Sequence, residues 1–140
     1  MKRRVILDTG PLVALLNRRD RHHAWAETVW GDVEAPLLTC EAVVAESCYL
    51  LRRLDGGSSA VMELIRRGAV ALAFSLADES AAVARLIKRY QDVPISLADA
   101  CLVRMSELFT GSEVMTVDSD FKVYRRQGRG VIPTVMPARG

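Results

Sequence analysis

Apolar residues in this chain alternate between short continuous runs and longer segments with helical spacing. Residues 4–7 form a short run rich in β-branched side chains that stops at Asp8, which predicts a buried strand. The same reasoning predicts strands at residues 37–39, 69–74, 113–117 and 131–135. The intervening segments predict helices at residues 12–17, 21–30, 41–54, about 58–68, 78–90 and 96–108.

Local residues at the predicted helix ends support these assignments. Pro11 is well placed to open the first helix, because proline is tolerated at the first helical position. Thr39 is the predicted cap of the helix at residues 41–54, and Gly56 and Gly57 are its predicted stop. Strands that alternate with helices indicate an open, largely parallel α/β sheet, and the length of 140 residues indicates one domain over residues 1–140.

Parallel sheets bind ligands outside the carboxyl ends of their strands, and two predicted strands here stop at an acid. Asp8 follows the first strand and Asp118 follows the strand at residues 113–117. We therefore expect both carboxylates at the same edge of the sheet.

The composition is that of a globular protein, with 50% hydrophobic and 26% charged residues and a formal net charge of +2. This small net charge does not by itself indicate a nucleic-acid binder. Residues 121–140 nevertheless contain five basic residues and no acid, which predicts either cationic surface for a polyanion or plain solvated charge: Lys122, Arg125, Arg126, Arg129 and Arg139.

Three cysteines without CxxC spacing argue against a disulfide framework or a zinc site and favour a reducing cytoplasm. No stretch approaches the roughly 20 apolar residues that a membrane span requires. These observations leave the acids as the candidate chemistry of the chain.

Four acids stand in apolar surroundings with no lysine or arginine three or four residues away on a predicted helix: Asp8, Glu46, Asp99 and Asp118. Acids are almost never fully buried unless they are paired or bind a metal. If these carboxylates converge they repel one another, and a hard divalent cation such as Mg²⁺ or Mn²⁺ would neutralise them. Simpler roles stay open: Asp8 and Asp118 as turn residues, and Asp99 in a capping box three residues after Ser96.

Four segments of the chain resemble, in order, the motifs of PIN domains: ILDTGPLVAL at residues 6–15, VAE at 44–46, PISLADA at 94–100 and TVDSDF at 116–121. The match runs from residue 5 to about residue 135 and is most similar to the VapC-type toxins. That resemblance implies a three-layer fold with a mostly parallel sheet of about five strands flanked by helices. It also implies a cytoplasmic, homodimeric endoribonuclease that uses Mg²⁺ or Mn²⁺ and pairs with a small antitoxin protein.

Residue by residue, Asp8, Glu46, Asp99 and Asp118 match the acidic positions of the family, and Thr116 matches a hydroxyl position beside them. Asp120 is a possible fifth acid. The hypothesis is that a metal-activated water attacks the RNA phosphodiester, with Asp8 and Asp118 as direct metal ligands. Glu46 and Asp99 complete the shell or orient the water. Candidate phosphate contacts are Arg125, Arg126 and Arg129.

Three other functions remain compatible with the sequence. A phosphotransfer domain with an aspartyl nucleophile would usually need a lysine at a strand end, and Lys2, Lys88 and Lys122 do not follow predicted strands. A non-catalytic PIN-like scaffold could bind RNA or protein without cutting, although the intact acid set argues against it. A housekeeping RNA-processing nuclease would share the same site.

Overall fold

The computed structural model describes residues 3–138, so Lys2 and Arg139 lie outside the described residues. Five strands form one parallel sheet: β1 Val5–Leu7, β2 Leu37–Thr39, β3 Val70–Leu72, β4 Glu113–Met115 and β7 Thr134–Val135. Six α-helices join them: α1 Thr9–Leu16, α2 His23–Asp32, α3 Glu41–Leu50, α4 Gly57–Arg66, α5 Leu76–Arg89 and α6 Leu97–Leu108. A 3₁₀ helix, Ser119–Lys122, precedes an antiparallel hairpin of β5 Arg125–Arg126 and β6 Gly130–Val131.

The sheet has the strand order β3-β2-β1-β4-β7, and its central strand β1 is buried along its whole length. Ile6 pairs with Leu38 of β2 on one side, and Leu7 pairs with Met115 of β4 on the other. Crossovers between parallel strands are right-handed in almost all proteins, which places α1–α4 on one face and α5–α6 on the other. This confirms the predicted three-layer α/β fold.

The chain reverses direction across the sheet between β1 and β4. It runs outward from β1 to β2 and β3, then returns through α5 and α6 to β4 on the other side of β1. Such a switch point leaves a crevice at the carboxyl ends of the two strands, because the connections leave in opposite directions. Asp8 and Thr116 are the residues that directly follow β1 and β4.

The segment predicted as one helix over residues 41–54 is shorter in the structure. Helix α3 ends at Leu50, and its N-cap is Cys40 rather than the predicted Thr39. The Thr39 hydroxyl instead donates a 2.8 Å hydrogen bond to the carbonyl oxygen of Leu7, where it ties β2 to the central strand. The cap prediction was wrong because Thr39 is the last residue of β2 and its hydroxyl bonds across the sheet.

The final strand, predicted over residues 131–135, is divided. Val131 belongs to the hairpin, and only Thr134 and Val135 join the sheet beside β4. Pro133 lacks a backbone N–H and so contributes only its carbonyl oxygen, which accepts from Val114 at 2.8 Å. The hairpin itself was not predicted, because its two-residue strands carry no alternating apolar pattern.

Within residues 3–138, no helix combines the length and apolar character needed to cross a lipid bilayer.

Candidate active site

Asp8 directly follows β1 and so lies at the switch-point crevice. Its side chain is buried, with 6% of the residue exposed, and both carboxylate oxygens accept hydrogen bonds. Oδ1 accepts from the backbone N–H of Thr9 at 2.7 Å, and Oδ2 accepts from the hydroxyl of Thr116 at 2.6 Å. The pKa of Asp8 is raised from 3.8 to about 6: burial is the main cause, the negative charges of Asp99 and Asp118 add to it, and the two hydrogen bonds oppose it.

Thr116 links the ends of β1 and β4 through one hydroxyl group. This residue is completely buried, donates to Asp8 and accepts the backbone N–H of Asp118 at 3.0 Å. Asp118 in turn accepts the N–H of Asp120 at 2.9 Å on its Oδ1 and so begins the 3₁₀ helix. The predicted turn role of Asp118 is therefore real, and it leaves the other carboxylate oxygen, Oδ2, available to the crevice.

Glycine is required at position 10 for α1 to approach this turn. A Cβ atom on Gly10 would collide with the side-chain methyl group Cγ2 of Val117, the residue between Thr116 and Asp118. The first turn of α1 and the β4 exit can therefore lie side by side only without a side chain at this position. The close approach helps to hold Asp8 and Asp118 at one crevice.

Asp99 reaches the crevice from the first turn of α6. The Ser96 hydroxyl caps this helix by accepting the backbone N–H of Asp99 at 3.0 Å, as the capping-box spacing predicted. The Asp99 carboxylate also has a tertiary partner, since its Oδ2 accepts a 3.1 Å hydrogen bond from the hydroxyl of Tyr124. Burial raises the pKa of Asp99, the Tyr124 hydrogen bond lowers it, and the charges of Asp118 and Glu46 raise it.

Tyr124 was not singled out from the sequence. Its ring is completely buried and packs edge-on against Tyr90 and Phe121, with ring centroids 5.1 Å and 5.3 Å away. Burial and the neighbouring negative charge of Asp99 raise the pKa of its hydroxyl, so Tyr124 stays a hydrogen-bond donor. No local pattern could have identified it, because the contact to Asp99 joins residues 25 positions apart.

Glu46 and Asp120 stand at the rim of the crevice. Glu46 is exposed on α3, where Val43 and Ser47 of the same helix face the interior. The apolar residues around Glu46 therefore do not mark a buried carboxylate, and Tyr49 and Leu50 are themselves exposed. The charge of Glu46 still raises the pKa of Asp99. Asp120 is exposed on the 3₁₀ helix, and its charge acts on Tyr124.

The donor chemistry of this crevice fits a hard divalent cation. Asp8, Asp99 and Asp118 offer only oxygen atoms, and their mutual repulsion is the cost that a bound cation would relieve. Across residues 3–138, however, no three His, Cys, Asp or Glu side chains lie close enough to hold one ion as they stand. Asp8, Asp99 and Asp118 therefore lie close enough to raise one another's pKa values, as shown for Asp8 and Asp99, but they do not form a complete set of metal ligands as they stand.

The three arginines predicted to contact phosphate lie on the hairpin, not in the crevice. Nη1 of Arg125 donates to the carbonyl oxygens of Lys122, Val123 and Tyr124 at 2.7–3.0 Å, so this guanidinium stabilises the chain that leads to the hairpin. Arg126 is half-buried and Arg129 is exposed. A phosphate-binding role stays a prediction, with Arg126 and Arg129 the better placed of the three.

Comparisons with known proteins agree with this geometry. A model of the PIN domain matches residues 5–127. Ribonuclease VapC26 of Mycobacterium tuberculosis is 31% identical over 136 residues, which cover 95% of this chain and 100% of that protein. The crystal structure of Mycobacterium tuberculosis VapC20, described as a toxin that cleaves the sarcin-ricin loop, has a TM-score of 0.73 at 22% identity. The match covers 85% of this chain and 93% of the VapC20 chain, and it supports the fold.

Proposed function

Since this chain belongs to the PIN-domain family and is of its VapC ribonuclease type, we propose that it is the toxin of a toxin–antitoxin pair and cuts RNA phosphodiester bonds. The observation that carries the proposal is the crevice at the β1–β4 switch point. There Asp8 is buried and its pKa is raised in part by the charges of Asp99 and Asp118. Buried carboxylates that repel one another destabilise the folded state, and groups with such perturbed pKa values are typical of functional sites. In the PIN-domain family the corresponding function is a nuclease.

We assign Asp8, Asp99 and Asp118 as the residues that would hold Mg²⁺ or Mn²⁺, with Glu46 completing the set from the rim and Asp120 as a further candidate. When bound, such a cation activates water for attack on the phosphodiester and offsets the charge that develops on the phosphate. The residues of the chain itself hold the carboxylates in position. Thr116 fixes Asp8, and Tyr124 fixes Asp99.

We also infer the assembly and setting that the family implies: one domain over residues 1–140, a homodimer, a small antitoxin partner and action on cytoplasmic RNA. A surface suited to another protein chain lies at the end of α3, where large apolar side chains are exposed. Tyr49, Leu50 and Leu54 are 61%, 53% and 40% exposed. Light scattering of the purified chain, alone and with the antitoxin, tests the dimer and the pair.

The test of the activity is cleavage of a mixed pool of structured and single-stranded RNAs in Mg²⁺, Mn²⁺ or EDTA. We expect cuts that need a divalent cation and that are lost in Asp8→Asn and Asp99→Asn. Asp32→Asn is the matched control, because Asp32 is exposed and its carbonyl oxygen accepts the N–H of Arg3, at the opposite end of β1 from Asp8. Cutting that survives in EDTA or in Asp8→Asn would contradict the proposed site.

The strongest contrary result is an absence of cutting together with an absence of divalent-cation binding in calorimetry. That pair of results would indicate a non-catalytic RNA- or protein-binding scaffold. Metal-dependent cutting confined to one precursor RNA, without growth arrest on expression, would instead indicate a housekeeping processing nuclease.

A further inference from the structure

We propose that a second, cationic site lies beside the carboxylate crevice and binds the RNA backbone away from the bond that is cut. We call it the arginine groove and define it by Arg85 and Arg89 of α5 and Arg126 and Arg129 of the hairpin. The ligand is a run of RNA backbone phosphates. This inference rests on the proposed ribonuclease function and extends it to the path of the substrate.

The groove consists of two adjoining cavities that share Gln127 as a wall. One, of about 200 Å³, is lined by Arg85 and Arg89 on α5, and the other, of about 450 Å³, by Arg126 and Arg129 on the hairpin. The two walls touch at Gly128, where a Cβ atom would lie 3.2 Å from Nη1 of Arg89. Gly128 has φ +74°, a backbone conformation that favours glycine. The absence of a side chain there also lets the hairpin turn lie against Arg89 of α5.

Charge in the groove is unbalanced. Over the part of the chain that the structure describes, none of its four arginines forms an ion pair. The one carboxylate that lines the groove is already engaged. Glu107 accepts from Nη1 of Arg104 at 3.2 Å on one oxygen and from the backbone N–H of Gln127 at 2.6 Å on the other.

The spacing of the two helical arginines also points to an anion. Arg85 and Arg89 are four residues apart and therefore lie on the same face of α5, where like charges destabilise a helix. The helix dipole favours a cation in the last turn, which accounts for Arg89 alone. All four guanidinium groups line the two adjoining cavities, and this side chain suits the planar, bidentate recognition of phosphate.

The groove is connected to the carboxylate crevice through α6 and through the contact between Tyr90 and Tyr124. A site so close to the proposed point of cleavage favours RNA over an acidic protein as its ligand. Helix α6 begins near Asp99 and carries Glu107 eight residues later, about 12 Å along the helix axis. The hairpin is held by the Tyr90 hydroxyl, which accepts the N–H of Arg125 at 2.9 Å, and Tyr90 packs on the ring of Tyr124. These contacts place the groove close to Asp99, and the proposal is that a polynucleotide seated at Asp99 continues into it.

The test measures binding of short random-sequence single-stranded oligoribonucleotides by fluorescence anisotropy, in EDTA so that they are not cut, over a series of salt concentrations. We compare wild type, Arg85→Gln/Arg89→Gln, and Arg126→Gln/Arg129→Gln. The matched control is Arg66→Gln/Arg67→Gln, which removes the same charge from exposed positions at the end of α4.

Each single-strand phosphate contact contributes a slope of about −0.7 to the plot of log K against log salt. We expect each groove variant to weaken binding at low salt about tenfold or more and to flatten the slope by about 1.4, with the control unchanged. Equal weakening by the control would overturn the groove as a site, because it would show an effect of net charge alone. Unchanged binding by both groove variants would overturn it too.

A failure of the groove and a failure of the proposed function are distinguishable. If the wild type cuts RNA in Mg²⁺ and the groove variants bind and cut as well as it does, only the groove is wrong. If the wild type neither binds nor cuts any RNA, both the ribonuclease proposal and the arginine groove are wrong. Loss of antitoxin binding with intact RNA binding would assign the groove to the protein partner and overturn the RNA assignment.

Discussion

Tyr124→Phe removes one oxygen atom from the site and leaves the aromatic packing in place. The lost hydroxyl is the donor to Oδ2 of Asp99 at 3.1 Å, whereas the ring contacts with Tyr90 and Phe121 persist. A hydrogen bond to a charged group contributes about 1.5–3 kcal/mol. Because Asp99 is only half-buried, water can replace part of this, and the lower end of the range applies.

At about 1.4 kcal/mol for each factor of ten, the expected loss in Mn²⁺ affinity and in kcat is about tenfold. That value lies at the lower end of the 10- to 100-fold cost typical of residues that orient metal ligands. The direction of the pH effect follows from the pKa. The Tyr124 hydrogen bond lowers the pKa of Asp99, so its loss raises that pKa and lets protons compete with the metal. The defect should therefore deepen as the pH falls.

The assay is Mn²⁺ titration by calorimetry together with kcat and KM for RNA cleavage across a pH series. Tyr90→Phe is the matched control, because its hydroxyl belongs to the same aromatic cluster but accepts a backbone N–H instead of holding an acid. We expect the effect of Tyr124→Phe on cleavage to fall on kcat rather than KM. Its effect on Mn²⁺ affinity should vanish in an Asp99→Asn background. Wild-type metal affinity in Tyr124→Phe, or equal loss in Tyr90→Phe, would refute the reasoning.

Three further predictions concern the same crevice. Asp8→Asn should abolish cleavage yet stabilise the metal-free fold at neutral pH by up to about 3 kcal/mol, because the rise of the Asp8 pKa from 3.8 to about 6 penalises the charged form. In thermal melts this gain in stability should be full well above pH 6 and disappear near pH 4. Added Mg²⁺ should raise the Tm of the wild type only, and an equal rise in Asp8→Asn would contradict the role of Asp8 as a metal ligand. Thr116→Val should lower activity about 10- to 100-fold, since it frees Asp8 and leaves the N–H of Asp118 without its acceptor, and Thr116→Ser should restore most of it. Gly10→Ala should cost about 1–3 kcal/mol in chemical denaturation and reduce activity, because its methyl group collides with Val117; a variant as stable and active as wild type would show that α1 can shift freely.

The alternation of strands and helices and the position of the acids were readable from local pattern. Strand β1 is apolar up to Asp8, and the Ser96 cap fixes where α6 begins, so the ends of these elements are marked by single residues. The rule that parallel sheets bind ligands at the carboxyl ends of their strands then predicts, from the sequence alone, that Asp8 and Asp118 lie at one edge. Asp99 and Glu46 were singled out by their apolar surroundings, and the resemblance matched them to the acidic positions of the family, because helical spacing alone does not say which way a carboxylate faces.

What only the tertiary structure decided are the contacts between residues far apart in sequence. The bond between Thr116 and Asp8 spans 108 positions, and the one between Tyr124 and Asp99 spans 25. The hairpin that carries Arg126 and Arg129 has strands of two residues, too short for a period to be read, and it sits beside α5 through contacts that no local propensity encodes. Sequence pattern specifies each element through its own neighbours, whereas the partners of a hydroxyl or a guanidinium depend on where the whole chain packs.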